Sequence, residues 1–415
     1  MNKSKKIIFK LREFPHLSET FIVAQIVSAI NLGYEVEILV HKILETEPNL
    51  RSSLIAQYGL MDKIKLEDYK IPKNKFTRLY KWIVLLLKNS MDMEFIYKFH
   101  KEQSQFSLTW LYQWYFYKQL NEVALFHVQY GTGAKPLDIL KKIGFFKPKL
   151  IATFHGHDAF FPINGFISQE GYYDNLFQYA DLITANTPYL GDKLIEIGCP
   201  KSLLQLIPVG VDTDFFYSKK QMKLPSSILK LITVGRLDKV KGQLFAIEVV
   251  RQLINKGIDV ELTIIGGGEE QSNLENLTTK YSLEEKVFFL GKKLPVEIRE
   301  ALWCHDVYLL MAVPLPDGRR ETQGLATLEA QSCGLPVVVF DSGGVKYTVD
   351  NGISGFVCPE HDVETVVDKI AILANKTDQL EQMGANAVTF VKENYAQSVI
   401  DERWRKIYNK VINEK

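Results

Sequence analysis

The chain has 415 residues, more than one hydrophobic core commonly supports, and that length predicts two or three domains, each large enough to fold alone. Fifty Lys and Arg against forty-nine Asp and Glu leave a net charge of +1. That balance gives no global attraction for nucleic acid, so no nucleic-acid partner is expected and any basic function must be local.

At the N-terminus, MNKSKK runs straight into the strand-like residues 7–11 with no apolar stretch of leader length. The apolar run at residues 82–87 is far short of a membrane span. Cys199, Cys304, Cys333 and Cys358 show none of the CxxC spacings of zinc sites or redox pairs, and they read as reduced core thiols. The expectation is a soluble, cytoplasmic protein.

Short apolar runs at residues 7–11, 36–40, 123–127, 150–154 and 182–184 alternate with amphipathic stretches, and read as buried parallel strands. A second series follows at 229–234, 261–265, 287–290, 306–310 and 336–340. The alternation predicts an α/β protein of two doubly wound, Rossmann-like domains. The polar stretch 213–228, with SKKQMKLPSS, is the natural linker. We place the domains at 1–214 and 215–397. Residues 398–415 form a final helix, with Val399, Trp404, Ile407, Tyr408 and Val411 at helical spacing, that packs on either domain. Residues 72–118 form an insertion in which Lys73, Lys75, Arg78, Lys81 and Lys88 flank the apolar run and aromatics follow from 110 to 117. Two readings of it stand: a helical insertion whose apolar side joins the core, or a surface that touches the inner membrane leaflet or a lipid-linked acceptor, which would make the protein peripheral there.

The most informative segment is ETQGLATLEAQSCG, 321–334, between a strand-like run and PVVVF. It reads as a loop entering a helix, with Thr322 able to cap the start and Gly334 suited to the end. A helix beginning beyond the carboxyl edge of a parallel strand offers unpaired N–H groups to an anion such as a diphosphate. Glu321 lies in the loop and Glu329 about two turns into the helix, so a division of labour fits them. Glu321 would reach the donor sugar and Glu329 the ribose hydroxyls.

These residues resemble the family 4 glycosyltransferases, a retaining family with the GT-B fold, whose signature is two glutamates in a loop-helix followed by CGLPVV. Glu321, Glu329 and residues 333–338 match it, and SGG at 342–344 and NGISGFVCP stand where the family has related stretches. The resemblance implies two domains facing an interdomain cleft. The donor contacts it implies include Gly324, Leu325 and Ala326 at the sugar-phosphate loop. VGRLDKVKGQ, 234–243, resembles the family's diphosphate-holding stretch and assigns that role to Arg236 and Lys241, a fork and a point charge suited to phosphate. IIGGGEE, with Gly266 and Gly267, serves either a ligand's close approach or a tight turn. FLGKKLP makes Lys292, Lys293 and Leu294 the neighbours of the base.

In the first domain, FPHLSETFI (14–22) enters a helix, and Ser18, Glu19 and Thr20 are candidates for the donor or for capping. This loop resembles enzymes of exopolysaccharide and capsule assembly. In ATFHGHDAF (152–160), His155 is the candidate at the reaction centre, with His157 and Asp158 beside it, and His127 ends a preceding strand. Asp212 and Asp214 spell the DxD of metal-dependent transferases, but they lie in IPVGVDTDFF, which resembles the family's interdomain segment, so no metal is expected.

The expectation is therefore a retaining, metal-independent glycosyltransferase with no cofactor, a nucleotide-sugar donor, a UDP-sugar favoured, and a glycan or lipid-linked acceptor in surface-polysaccharide assembly. A sugar-nucleotide 2-epimerase and a catalytically silent partner subunit are the alternatives.

Overall fold

The computed structural model describes residues 5–16, 19–44, 54–103, 107–219 and 228–413. The linker residues 220–227 and Ser18 lie outside them. The chain divides into two compact units. The first comprises residues 1–185, 191–206 and 401–415, and the second 186–190 and 207–400. The division thus falls at 206/207 rather than at 214, because residues 207–216 place Ile207, Val211 and Phe216 among buried neighbours of the second unit.

In the first unit, β1 (Lys6–Phe14), β2 (Glu35–Ile43), β3 (Ile64–Leu66), β4 (Leu125–Gln129), β5 (Lys149–Phe154), β6 (Leu182–Ala185) and β7 (Leu204–Leu206) form a seven-stranded parallel sheet in the order β3-β2-β1-β4-β5-β6-β7. In the second, β8 (Leu229–Val234), β9 (Val260–Ile265), β10 (Val287–Phe289), β11 (Val307–Leu310), β12 (Val337–Phe340) and β13 (Gly355–Cys358) form a six-stranded parallel sheet in the order β10-β9-β8-β11-β12-β13. The strand order reverses between β1 and β4 and again between β8 and β11. In sheets of this kind the carboxyl edge at the reversal is where ligands bind. Central strands are buried on both faces, which is why they read as unbroken apolar runs: β4 is buried throughout, as are β11 and β12. The strand expected at 123–127 runs two residues later, and the three strands not expected, β3, β7 and β13, all lie at sheet edges.

Two clusters pack the second sheet. One centres on Leu231, Val250, Leu262 and Leu309, the other on Ile232, Leu310, Leu328 and Val339, so alternate residues of β8 and β11 face opposite helix layers. Cys199, Cys333 and Cys358 are buried free thiols. Cys304 is exposed, contrary to the expectation of a core thiol, because it caps the half-exposed helix Pro295–Trp303.

The insertion consists of the helices Lys75–Lys88, Met93–Lys101 and Trp110–Lys118. The last buries Trp110, Leu111, Tyr112, Trp114 and Tyr117, whereas Lys75–Lys88 buries no residue completely. The final helix, Gln397–Asn413, contributes Trp404 and Tyr408 to the first unit. There the Tyr408 hydroxyl lies 2.9 Å from His127 Nδ1, while His127 Nε2 lies 2.7 Å from Thr153 Oγ1. Burial lowers the His127 pKa to about 3, so it is a neutral internal histidine that joins this helix to β4.

Candidate active site

In the second unit, β8 delivers the loop that carries Arg236 and Lys241, and β11 delivers the loop that carries Glu321. Lys241 ends a single 3-10 turn, Lys239–Lys241, and Gly242 follows in the left-handed conformation. A side chain at Gly242 would meet the Met311 carbonyl, so the two loops are in backbone contact just beyond their strands. Across this contact Lys241 Nζ lies 2.5 Å from Glu321 Oε2. The other oxygen, Oε1, accepts the amide N–H of Gly324 at 3.0 Å and that of Gln323 at 3.4 Å. Burial opposes ionisation of Glu321, but the Lys241 charge and these donors outweigh it and hold the carboxyl below its ordinary value.

The helix after this loop is Leu325–Ser332, with Gly324 at its N-cap at φ +83°. Thr322 is therefore not the cap. The N-cap, Gly324, has no side chain to offer, and the Glu321 carboxylate holds the Gly324 amide itself rather than an amide of the first turn. The amides of Leu325 and Ala326, at the positive end of this helix, have no hydrogen-bond acceptor among the described residues. Gly334 ends the segment at φ +90°, as its sequence position suggested.

Glu329 lies within this helix, half-buried, with no hydrogen bond among the described residues. Burial raises its pKa to about 7, against the nearby charge of Lys241, which lowers it. Arg236 extends into solvent and pairs with Asp238 at 3.0 Å, touching neither glutamate. Lys292 packs against Gly267, Lys293 pairs with Glu297 at 3.1 Å, and the Leu294 amide donates to Glu297 at 2.8 Å; all three are exposed. Gly266 stands at φ +147°, and a Cβ there would fall 1.8 Å from the Gly235 carbonyl, so packing alone calls for glycine at this turn. Gly267 is limited only by the Lys292 side chain.

Residues that the sequence did not single out hold the Glu321 loop in place. The buried Gln323 side chain accepts from the Val209 amide and donates to the Val209 carbonyl, both at 2.9 Å. Thr187 Oγ1 donates to the Thr322 carbonyl at 2.8 Å. The Gly344 amide donates to the Glu321 carbonyl at 2.8 Å, so the SGG turn is a backbone brace for the catalytic candidate. A glutamine beside a signature glutamate carries no sequence signal that it will fold back on a distant main chain. Asp212 Oδ1 accepts the amides of Asp214 at 3.1 Å and Phe215 at 3.0 Å, so the DxD string is a turn that closes on itself. Among the described residues no cluster of three His, Cys, Asp or Glu could hold a metal.

In the first unit, His155 follows β5, half-buried, and its Nε2–H donates to the Gln129 amide oxygen at 2.8 Å. Gln129 in turn donates to Gln25 at 2.9 Å. Burial, aided by His157, lowers the His155 pKa to about 3, so the ring is neutral at physiological pH. Tyr130 stands 4.7 Å from the His155 ring and 4.8 Å from the His157 ring, and its hydroxyl donates to Glu19 at 2.7 Å. Asp158 is buried and accepts the amides of Gly131, Gly156 and His155 at 2.8, 2.9 and 3.1 Å. Its carboxylate therefore shapes the His155 loop rather than facing a ligand. Glu19 precedes the helix Thr20–Asn31, and Thr20 is exposed at its start.

The Glycosyltransferase Family 4 model matches residues 20–215, and the Glycosyl transferases group 1 model matches residues 216–390. The chain belongs to the family 4 glycosyltransferases. Among similar proteins, one named as the colanic acid biosynthesis glycosyltransferase WcaL of Escherichia coli K12 is 29% identical over 411 residues, 95% of this chain and 97% of that protein. The amylovoran biosynthesis glycosyltransferase AmsK of Erwinia amylovora is 27% identical over 371 residues, 87% and 88% of the two chains. In structure, Anabaena Alr3699/HepE, solved in complex with UDP, superposes with a TM-score of 0.71 at 16% identity, covering 98% of this chain and 99% of that one. The two parallel-sheet units are those of the GT-B fold, and the glutamate pair of this family 4 chain lies on the second.

Proposed function

We propose that this glycosyltransferase moves a sugar, with retention of configuration, from a nucleotide sugar to a glycan or lipid-linked acceptor in the assembly of a surface polysaccharide. The observation that carries the reading is the meeting of Lys241, Glu321 and the open amides of Leu325 and Ala326 at one strand-order reversal. Cation, carboxylate and helix N-terminus together suit a sugar diphosphate. Lys241 and Arg236 hold the diphosphate, Glu329 accepts from the ribose, and Lys292, Lys293 and Leu294 flank the base. Gly324, the open amides of Leu325 and Ala326 and the Glu321 carboxylate face the donor sugar and its phosphates. Gly266 and Gly267 let the backbone approach closely.

As the anomeric bond breaks, negative charge grows on the leaving diphosphate, and fixed cations and amides stabilise it most at that moment. These groups serve where other transferases use a divalent ion, so the reaction is metal-independent and needs no cofactor. The acceptor hydroxyl enters beside the departing phosphate and its proton passes to a phosphate oxygen, which gives retention without a covalent intermediate. His155, neutral and with its Nε2–H committed to Gln129, orients sugar or hydroxyl, with Glu19, Thr20 and His157 around it. UDP is the favoured base, supported by the UDP in the Anabaena structure. The names of WcaL and AmsK support an exopolysaccharide product. Peripheral attachment at the inner membrane face belongs to the same reading.

The test is a thermal-shift and turnover screen against UDP-, GDP- and ADP-sugars without added metal, with Arg236→Ala and Glu321→Ala alongside. One nucleotide sugar should stabilise the wild type and be consumed slowly. Release of an epimerised donor without acceptor would identify an epimerase instead, and absence of any donor binding would identify a silent subunit.

A further inference from the structure

The helix Lys75–Lys88 has two apolar faces, and only one is covered. Trp82 meets Trp110 edge-on at 6.0 Å, and the Arg78 carbonyl accepts from the Tyr112 hydroxyl at 2.6 Å, so this side packs on the rest of the insertion. On the other side Phe76 is 85% exposed, Tyr80 69%, Ile83 47% and Leu87 71%. They recur at i, i+4, i+7 and i+11, a single stripe about 16 Å long. Leu79 lies along it and Met91, almost wholly exposed, continues it beyond the helix.

Four such residues on one face are not the scattered apolar exposure usual on protein surfaces. The charges around the stripe are of one sign. Residues 71–91 hold Lys73, Lys75, Arg78, Lys81 and Lys88 and no Asp or Glu. Lys75 flanks the stripe on one side and Lys81 and Lys88 on the other. None of Lys73, Lys75, Lys81 and Lys88 has an ion-pair partner among the described residues.

We propose that this face docks on an anionic lipid bilayer, with Phe76, Tyr80, Ile83 and Leu87 lowered to the acyl boundary and the lysines among the headgroups. Pairing with a second copy through the same face would set lysine against lysine with no acid to offset them. An apolar stripe bordered by cations is complementary instead to a surface with negative charge outside and hydrocarbon beneath. No helix of the described residues is long and apolar enough to cross a membrane, so the contact is interfacial. This names the surface for the peripheral attachment proposed above. Its test reads vesicle binding and not turnover, so its failure leaves sugar transfer standing.

The experiment is flotation of the full chain with vesicles of phosphatidylcholine alone or mixed with phosphatidylglycerol. Wild type should float with the mixed vesicles only, and less as salt rises. Replacing Lys75, Lys81 and Lys88 together by Gln should weaken partitioning about a hundredfold. The pair Phe76→Ser and Leu87→Ser should weaken it about tenfold or more. All five positions are exposed, and an unchanged melting temperature certifies the fold. Equal binding to neutral vesicles, no binding to either, or unchanged binding by both variants overturns the proposal. So does an oligomer of the wild type that dissociates in the Ser pair while vesicles stay unbound, which assigns the face to a second copy.

Discussion

Lys241 Nζ and Glu321 Oε2 lie 2.5 Å apart, joining the loop after β8 to the loop after β11. Before donor binds, each is the other's counter-charge. On the function proposed above, a diphosphate draws Lys241 toward itself, and Glu321, still held by the Gly324 amide, is released to the sugar. The two alanine variants should therefore differ. Lys241→Ala should weaken nucleotide binding about ten- to a hundredfold, the worth of one charge-assisted contact. Glu321→Ala should leave nucleotide binding within a few-fold while turnover falls by two orders of magnitude or so. Calorimetry with the nucleotide diphosphate, beside turnover, separates them.

Glu329 predicts a pH dependence. Its carboxyl titrates near 4.5 when unfolded and at about 7 in the folded chain, so the folded state binds the extra proton between those values. Stability is untouched below the lower value, falls as pH rises toward 7, and stays reduced above it. Glu329→Gln should melt like wild type at pH 4 and higher than wild type at pH 8, by an amount on the order of 1–3 kcal/mol. A difference that shrinks as pH rises would contradict the assignment. The same variant should lose affinity for a nucleoside but not for pyrophosphate.

Gln323 is expected to act through Glu321. Removing its amide orphans both polar groups of Val209 and frees the loop. Gln323→Ala should cost about 1–3 kcal/mol of stability. It should also lower kcat more than it raises KM, since the misplaced group acts on the sugar. A variant that loses stability with kcat intact would limit Gln323 to a structural role.

Two glycines make a matched pair. Gly343 and Gly352 both have positive φ, +57° and +84°. A Cβ on Gly343 would stand 2.3 Å from the Glu321 carbonyl, whereas one on Gly352 would meet nothing within 4 Å. Gly352→Ala should cost about 1 kcal/mol of backbone strain and leave turnover unchanged. Gly343→Ala must displace the Glu321 main chain and should abolish most activity even at temperatures where it remains folded.

The central strands were legible because burial on both faces leaves unbroken apolar runs, and the candidates Glu321, Glu329, Arg236 and Lys241 could be picked out because they sit at fixed places in short motifs. The edge strands β3, β7 and β13 were not: in β3 and in β7 none of the three residues is buried, and β13, though mostly buried, is four residues long and opens on a glycine. The helix start was misread at Thr322 because residue preference points to a hydroxyl cap, while the helix begins after a left-handed Gly324 with no capping side chain. Gln323 and Thr187 escaped notice because their partners, Val209 and Thr322, are 114 and 135 residues away. Asp158, named beside His155, turns out to hold three amides of its own surroundings.

The contact between His127 and Tyr408 spans 281 positions of sequence. On the ribosome, β4 leaves the exit tunnel long before Trp404 and Tyr408 exist, and the whole second unit is made in between. The first unit therefore cannot reach its final packing in the order of synthesis. Its sheet must wait, with part of its hydrophobic surface uncovered, for Trp404 and Tyr408 to return.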